Sequence, residues 1–314
     1  LASITIPETV TSIGDDAFSY CGSLIGITFP ESLAFIGDYA FTGCGLLASV
    51  TIPASVTHIG DDAFSYCTSL TSVLFTGAAP AIDFYAFYFT PATFYYFPGT
   101  SGWGDMVADR YAQGLLTYEQ LNGGFTITGI DASFTGNYLP IPESIDGLPV
   151  TAVGDWAFSA CTSLVSVTIP ASITTIGLGA FQSCTSLASV TIPASVTNIG
   201  GGAFLYCLSL ASVTLPNSVT NIGDYTFYGC TALTSINIPA GVTTIGGSAF
   251  YSCTSLASVT IPGSVTNIGH DAFAVCTSLA SVTIPAGVSN IGDYTFNWCF
   301  SLASVTLPSG VSNI

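Results

Sequence analysis

Ten cysteines are the most regular chemical groups in the chain, and their spacing limits what they can do. Cys21, Cys44 and Cys67, then Cys161, Cys184, Cys207, Cys230, Cys253, Cys276 and Cys299, recur every 23 residues. Zinc would need a closer set of ligands: no Cys-x-x-Cys occurs, and neither His58 nor His270 belongs to a cluster. Each Cys holds the same place in a repeat, so stacking would put the sulfurs in two files, neighbours ~4.7–4.9 Å apart with side chains pointing one way. A file of seven cannot pair completely, and parallel side chains suit a disulfide poorly. The expectation is free, buried thiols that fill space as small apolar groups.

The remaining reactive groups assemble into nothing catalytic. His58 and His270 sit in separate repeats, and no Ser-His-Asp or paired-acid constellation emerges. Gly200, Gly201 and Gly202 lie in a turn without the lysine of a phosphate-binding loop. An acid often follows Ile-Gly, as at Asp15 and Asp224, where it is expected to cap a single helical turn. Calcium is the alternative for this column, but Leu178, Gly201, Gly247 and His270 interrupt it. The chain reads as no enzyme, with no catalytic residue, cofactor or metal.

Aromatic and hydroxyl side chains offer recognition chemistry instead. Tyr20, Tyr66, Tyr206 and Trp298 stand just before a Cys, and Tyr39, Trp156, Tyr225 and Tyr294 lie nearby. Their irregular distribution is what recognition would require. Tyr20, Tyr66, Trp156, Tyr206, Tyr225, Tyr294 and Trp298 are therefore the candidate partner contacts, and a covering role for the turns is the competing reading. The strands carry a Ser column (Ser49, Ser72, Ser166, Ser189, Ser212, Ser235, Ser258, Ser281, Ser304) and a parallel Thr column that includes Thr51, Thr191 and Thr214. Such a hydroxyl face lacks aromatic or Arg anchors, so a solvated sheet is expected, with ordered water of the ice-binding kind as the minor alternative.

The elements that position these groups follow from the repeat. Counting from each Cys, Leu falls at plus three, Val or Ile at plus six, and usually Ile or Leu at plus eight, as in Leu187, Val190 and Ile192. Alternation with Ser189 and Thr191 predicts a short strand. Pro at plus nine, as at Pro193, stops it. Phe stands three residues before every Cys, from Phe18 to Phe296, and its rings should stack into a spine. A fixed period of this length signals a solenoid whose units bury their apolar faces on one another.

The pattern Leu-x-x-Val-x-Ile-Pro, Val-x-x-Ile-Gly, Ala-Phe-x-x-Cys resembles the BspA-like (Treponema-type) leucine-rich repeats. The resemblance implies a β-rich leucine-rich repeat solenoid with a parallel concave sheet and short or helical turns on the convex side. It also implies secreted or cell-surface proteins, often linked to adhesion.

Three segments are expected. Residues 1–97 form a first array closed by a degenerate repeat: Ile82 and Ala86-Phe87 keep the register, but Thr90 replaces Cys. Phe84, Tyr85, Tyr88, Phe89, Phe94, Tyr95, Tyr96 and Phe97 are placed to cover its end. Residues 98–128 form a connector with a hairpin at Asn122-Gly123-Gly124. Residues 129–314 form a second array, entered through an insertion around Asp146-Gly147 and cut within a repeat, as is the first.

Composition narrows the partners. The chain has 314 residues, 18 acidic groups against one basic residue, Arg110, and a formal charge of -17. Nucleic acid and anionic membrane are poor partners, since both need Lys or Arg to neutralise phosphate; no nucleic-acid partner and no membrane insertion are expected. No apolar run approaches a membrane span, because Pro, Gly, Ser and Thr interrupt every unit. No Asn-x-Ser/Thr sequon occurs, while O-linked sugar stays open. The expected role is adhesion or protein-protein contact at an extracellular or cell surface, with a protein or glycan partner. The alternative is a structural protein whose arrays associate end to end into a filament or surface layer.

Overall fold

The computed structural model describes residues 2–103, 106–107, 110–121 and 123–313. They group into two compact units, residues 1–117 with 131–138, and residues 118–130 with 139–314. The family of 23-residue copies is a stack of coils in each unit. A coil consists of a strand, a two-residue second strand and a turn, and no helix forms among the described residues.

In the first unit, Ser49–Ile52 pairs in parallel with Ser72–Phe75, which pairs with Thr93–Tyr96. Arg110–Gly114 then adds to Thr93–Tyr96 in parallel. A second ladder joins Ser12–Ile13, Phe35–Ile36, His58–Ile59 and Ala81–Ile82, again in parallel. In the second unit the same two ladders recur. Ser189–Thr191 on Ser212–Thr214 is an example of the first, and Thr175–Ile176 on Asn198–Ile199 of the second. The insertion before the second array folds as a hairpin in which Ser144–Ile145 runs antiparallel to Leu148–Val153. Asp146 and Gly147 turn it with φ of 50° and 78°, the two left-handed positions a tight hairpin requires.

The core is what the repeat demands. Leu187, Val190 and Ile192 are buried, and so are their equivalents in neighbouring coils. The Phe side chains form two spines. Phe18, Phe41, Phe64 and Phe87 lie nearly parallel at centroid separations of 5.1–5.2 Å. Phe158, Phe181, Phe204, Phe227, Phe250, Phe273 and Phe296 do the same at 5.2–5.9 Å. Glycine after Ile is needed in the inner coils because the preceding coil passes close by. A Cβ on Gly60 would lie 2.8 Å from the Asp38 amide nitrogen, which leaves no room for a side chain.

All ten thiols are free, and seven are buried. They do more than fill space. Each Sγ from the second coil onward in a file donates to the carbonyl of the Phe 26 residues earlier, as Cys67 does to Phe41 and Cys207 to Phe181, at 3.2 and 3.1 Å. Burial pushes Cys67 and Cys207 up to about 12, so both stay protonated at neutral pH.

Two expectations are corrected. The acids do not cap helical turns, because left-handed residues in each turn, such as Asp16 and Tyr20 at φ 55° and 52°, break any helical run. Alternate turn amides bond the next coil instead, as Phe18 N–H does to Ala40 O at 2.8 Å, and the intervening ones bond three residues back. The Asp carboxylate joins this inter-coil pattern. Asp15 Oδ1 accepts the Asp38 N–H at 3.0 Å, and Asp38 Oδ1 accepts the Asp61 N–H at 2.9 Å.

The second correction concerns the hydroxyl face. In the second unit it alternates as expected, with Ser189 and Thr191 exposed around buried Val190. In the first unit residues 131–138 lie against it. Asn137 accepts from Ser49, Thr135 bonds Thr71, and Tyr95 meets both Ser133 and the ring of Phe134. Ser72 is consequently only 1% exposed. The aromatic end of the first array also divides: Phe94, Tyr95 and Phe97 are buried, with Trp103 stacked on Tyr96 at 5.0 Å, whereas Phe84, Tyr85, Tyr88 and Phe89 face solvent.

Candidate recognition surface

The seven aromatic candidates share one backbone property that the sequence does not announce. Tyr20, Tyr66, Trp156, Tyr206, Tyr225, Tyr294 and Trp298 all have φ between 52° and 61°. They fill two left-handed positions of the turn, one directly before the Cys and one two residues after the Ile-Gly pair. Gly43 and Gly229 hold the first position in other coils, Gly179 and Gly202 the second. A non-glycine residue there costs ~1–3 kcal/mol unless the surroundings fix it. All seven are exposed.

Glycine in the next coil supplies part of that fixing. A Cβ on Gly43 would meet Tyr20 Cδ1 at 2.6 Å, one on Gly179 would meet Trp156 Cε3 at 2.3 Å, and one on Gly229 would meet Tyr206 Cδ1 at 2.7 Å. The rings of Tyr20, Trp156 and Tyr206 therefore lie on the backbone of a glycine 23 residues onward, where no side chain obstructs them.

In the first unit, Tyr66 anchors a cluster that the sequence reading assigned to covering an end. Its ring stacks on Phe89 at 5.3 Å and meets Tyr88 edge-on at 6.1 Å. Tyr88 continues to Tyr85, and Tyr85 to Phe84. Tyr66 is 51% exposed and Phe89 63%. Asp61 reaches the same turn, where its Oδ1 accepts the Tyr85 N–H at 3.3 Å. Asp83 pairs with His58 at 3.4 Å, and His58 in turn stacks on Phe35. Tyr39 lies among acids, and the Asp62 charge foremost raises its phenol above the ordinary value.

In the second unit, Trp156 and Tyr225 line one cleft of about 530 Å³. Tyr206 and Tyr225 both contact Tyr228, at 5.3 and 6.1 Å, and Tyr228 stacks on Tyr251 at 4.7 Å. Partial burial raises the Tyr228 phenol, with Tyr206 adding to the effect. Tyr228 and Tyr251 were not among the candidates, although both belong to one column, two residues before a Cys, that the repeat makes visible. Phe300 is likewise exposed and was missed. Tyr20, Tyr294 and Trp298 stand apart from both clusters.

Among the described residues no group of three or more His, Cys, Asp or Glu is placed to hold a metal ion. Among the same residues no helix is long and apolar enough to cross a membrane.

Fold and surface together define a parallel β-solenoid whose aromatic side chains ride on its turns. The chain belongs to the BspA type leucine rich repeat family, which it matches in six copies over residues 1–102, 138–256 and 197–314. Among solved structures it is similar to the leucine rich repeat protein of T. pallidum, at 35% identity over 63% of this chain and 83% of that one, with a TM-score of 0.46. A leucine-rich repeat protein from Eubacterium ventriosum shares the fold at 21% identity over 99% and 91% of the two chains, with a TM-score of 0.52. A leucine rich cell surface protein from Faecalibacterium prausnitzii matches at 26% identity over 98% and 79%, with a TM-score of 0.36. No match was found among curated proteins.

Proposed function

We propose that this chain is a non-catalytic recognition protein, extracellular or displayed at a cell surface, that adheres to protein or glycan partners through the aromatic side chains of its turns. One observation carries the reading: seven exposed aromatic residues occupy left-handed backbone positions where glycine would cost less. The turn imposes the same backbone on Ala160, Ser183 and Val275, so it is the exposed rings at seven of these positions, not the strain, that point to a use beyond the fold. Aromatic groups are also the residues that dominate interface energetics, whereas serine and threonine contribute little. Similarity to a protein described as a leucine rich cell surface protein is in keeping with that location. The charge of -17 disfavours end-to-end association of identical chains, because like-charged surfaces repel.

The test is binding of fluorescently tagged protein to intact cells and to purified extracellular material. Replacing Tyr66, Tyr206, Tyr225 and Trp298 with serine should lower binding at least ~10-fold, since hot-spot aromatics each contribute above 1 kcal/mol. Replacing Thr191 and Thr214 with alanine should leave it unchanged. Equal binding by wild type and the turn variant would overturn the reading.

A further inference from the structure

The cleft in the second unit exists because the repeat fails there in three places, at Leu178, Gly201 and Gly202. Its floor is Gly200, Gly201 and Gly202, where the first coil carries Gly14, Asp15 and Asp16. Gly202 occupies the left-handed position at φ 62°, which Tyr39, Trp156, Tyr225 and Tyr294 fill elsewhere. With no side chain at that point, the cleft is lined by both Trp156 and Tyr225. The Trp156 ring lies over Gly179, two coils short of Tyr225, so the opening spans ~10 Å at the usual strand spacing. That length accommodates two linked pyranose rings.

The same irregularity leaves polar groups without partners. In neighbouring coils an Asp carboxylate accepts the next coil's amide: Asp155 takes the Leu178 N–H at 2.7 Å, and Asp224 takes the Gly247 N–H at 2.6 Å. Leu178 and Gly201 stand where the intervening carboxylates would be, so the amides of Gly201 and Asp224 receive no such acceptor. On the opposite account, Gln182 Oε1 is buried against the cleft and accepts nothing. An unmatched buried polar group is costly, and a ligand able to fill it recovers that cost. The site thus wants acceptors for two amides and a donor for one carbonyl oxygen.

We propose that this cleft is a binding site for a neutral glycan chain, with pyranose rings lying between Trp156 and Tyr225 and hydroxyl groups bonding Gln182, Asn221 and the exposed amides. A hydroxyl donates and accepts at one atom, which matches this mixed set. Sugar C–H faces stack on aromatic rings. Acidic glycans are disfavoured, because no Lys, Arg or His lines the cleft and Asp224 does. An extended peptide is the poorer fit, since pairing with it would need free carbonyls in the floor. Gly201 O already accepts from Gly179 and Asp224 O from Gly202, at 3.1 and 2.8 Å. The inference rests on the turns being the recognition surface and names the ligand class for one part of it.

The test uses the full chain and four neutral probes, cellohexaose, mannohexaose, maltohexaose and chitohexaose, followed by calorimetry and tryptophan emission. At least one should bind and shift the emission, and Trp156→Ala should weaken it at least ~10-fold. Gly202→Tyr should abolish it without lowering the melting temperature, since Tyr225 shows that the position accepts tyrosine. Leu178→Asp, which restores the missing carboxylate, should also weaken it. Binding by none of the probes, or undiminished binding by Gly202→Tyr, overturns the inference. Cell binding that survives periodate but not protease treatment overturns it as well, while leaving recognition by the turn aromatics standing.

Discussion

The two units are built from one repeat yet present opposite surfaces. In the first, residues 131–138 lie on the strand face and bury Ser72, and the exposed aromatics gather into a continuous cluster from Phe84 to Phe89 with Tyr66. In the second, the strand hydroxyls at Ser189 and Thr191 are exposed, and glycine replaces side chains to open a cleft. The core positions hardly differ between them. Stability therefore resides in the columns that repeat exactly in kind, and the surface is varied at positions the core does not constrain.

Interior truncation should break both units alike. Phe41 and Phe204 are each fully buried between two stacked rings, so changing either to Ala should cost ~3–5 kcal/mol in urea denaturation. Phe296, partly exposed with one ring neighbour, should cost about half as much. Equal losses at Phe204 and Phe296 would show that ring stacking is not the source.

Alkaline pH should separate the units. Folded thiols such as Cys67 and Cys207 are raised from 9.0 to about 12 by burial. They therefore stabilise the fold fully below about 9, and that contribution disappears as pH climbs through about 12, because the unfolded chain ionises first. The first unit has two buried thiols, Cys44 and Cys67, and the second has five, Cys184, Cys207, Cys230, Cys253 and Cys276. Hydrogen exchange between pH 9 and 11 should show the second unit opening earlier, and a simultaneous loss would contradict thiol control.

The smallest expected effect concerns the inter-coil carboxylate. Asp38→Ala in the first unit removes the acceptor of the Asp61 amide and should lower stability by ~1 kcal/mol. Leu178→Asp in the second unit adds the acceptor that Gly201 lacks and should raise it by a similar ~1 kcal/mol. Matched thermal melts of the two variants, shifting in opposite directions, would confirm that the bridge is general and its absence local.

Much of this was legible beforehand, and the reason is periodicity. Stacking places residue i beside residue i+23, so Phe18 on Phe41 and Cys44 behind Cys21 follow from counting. The Asp column was visible too, but its partner was misjudged. A helix cap looks within one turn, whereas Asp15 reaches the amide of Asp38 in the next coil. The two left-handed positions gave a faint signal in Gly43, Gly179, Gly202 and Gly229, yet Tyr, Trp, Ser and Val occupy the same places and mask it. For the candidate aromatics, the sequence supplied the residues and their exposed turns. It did not show that Trp156 and Tyr225 share a cleft, or that Tyr66 joins Phe89.

The amino-acid order by itself settles the coil, its inward Leu, Val, Ile and Phe, and the filing of its cysteines into two columns, because each of these depends on equivalent residues meeting at one fixed interval. Tertiary structure alone decides which unlike positions meet: Tyr206 with Tyr228, residues 131–138 with the strands of the first unit, and Trp156 with Tyr225 in one cleft. Those contacts depend on side-chain direction at left-handed turns and on the path of non-repeating chain, and neither leaves a period to read.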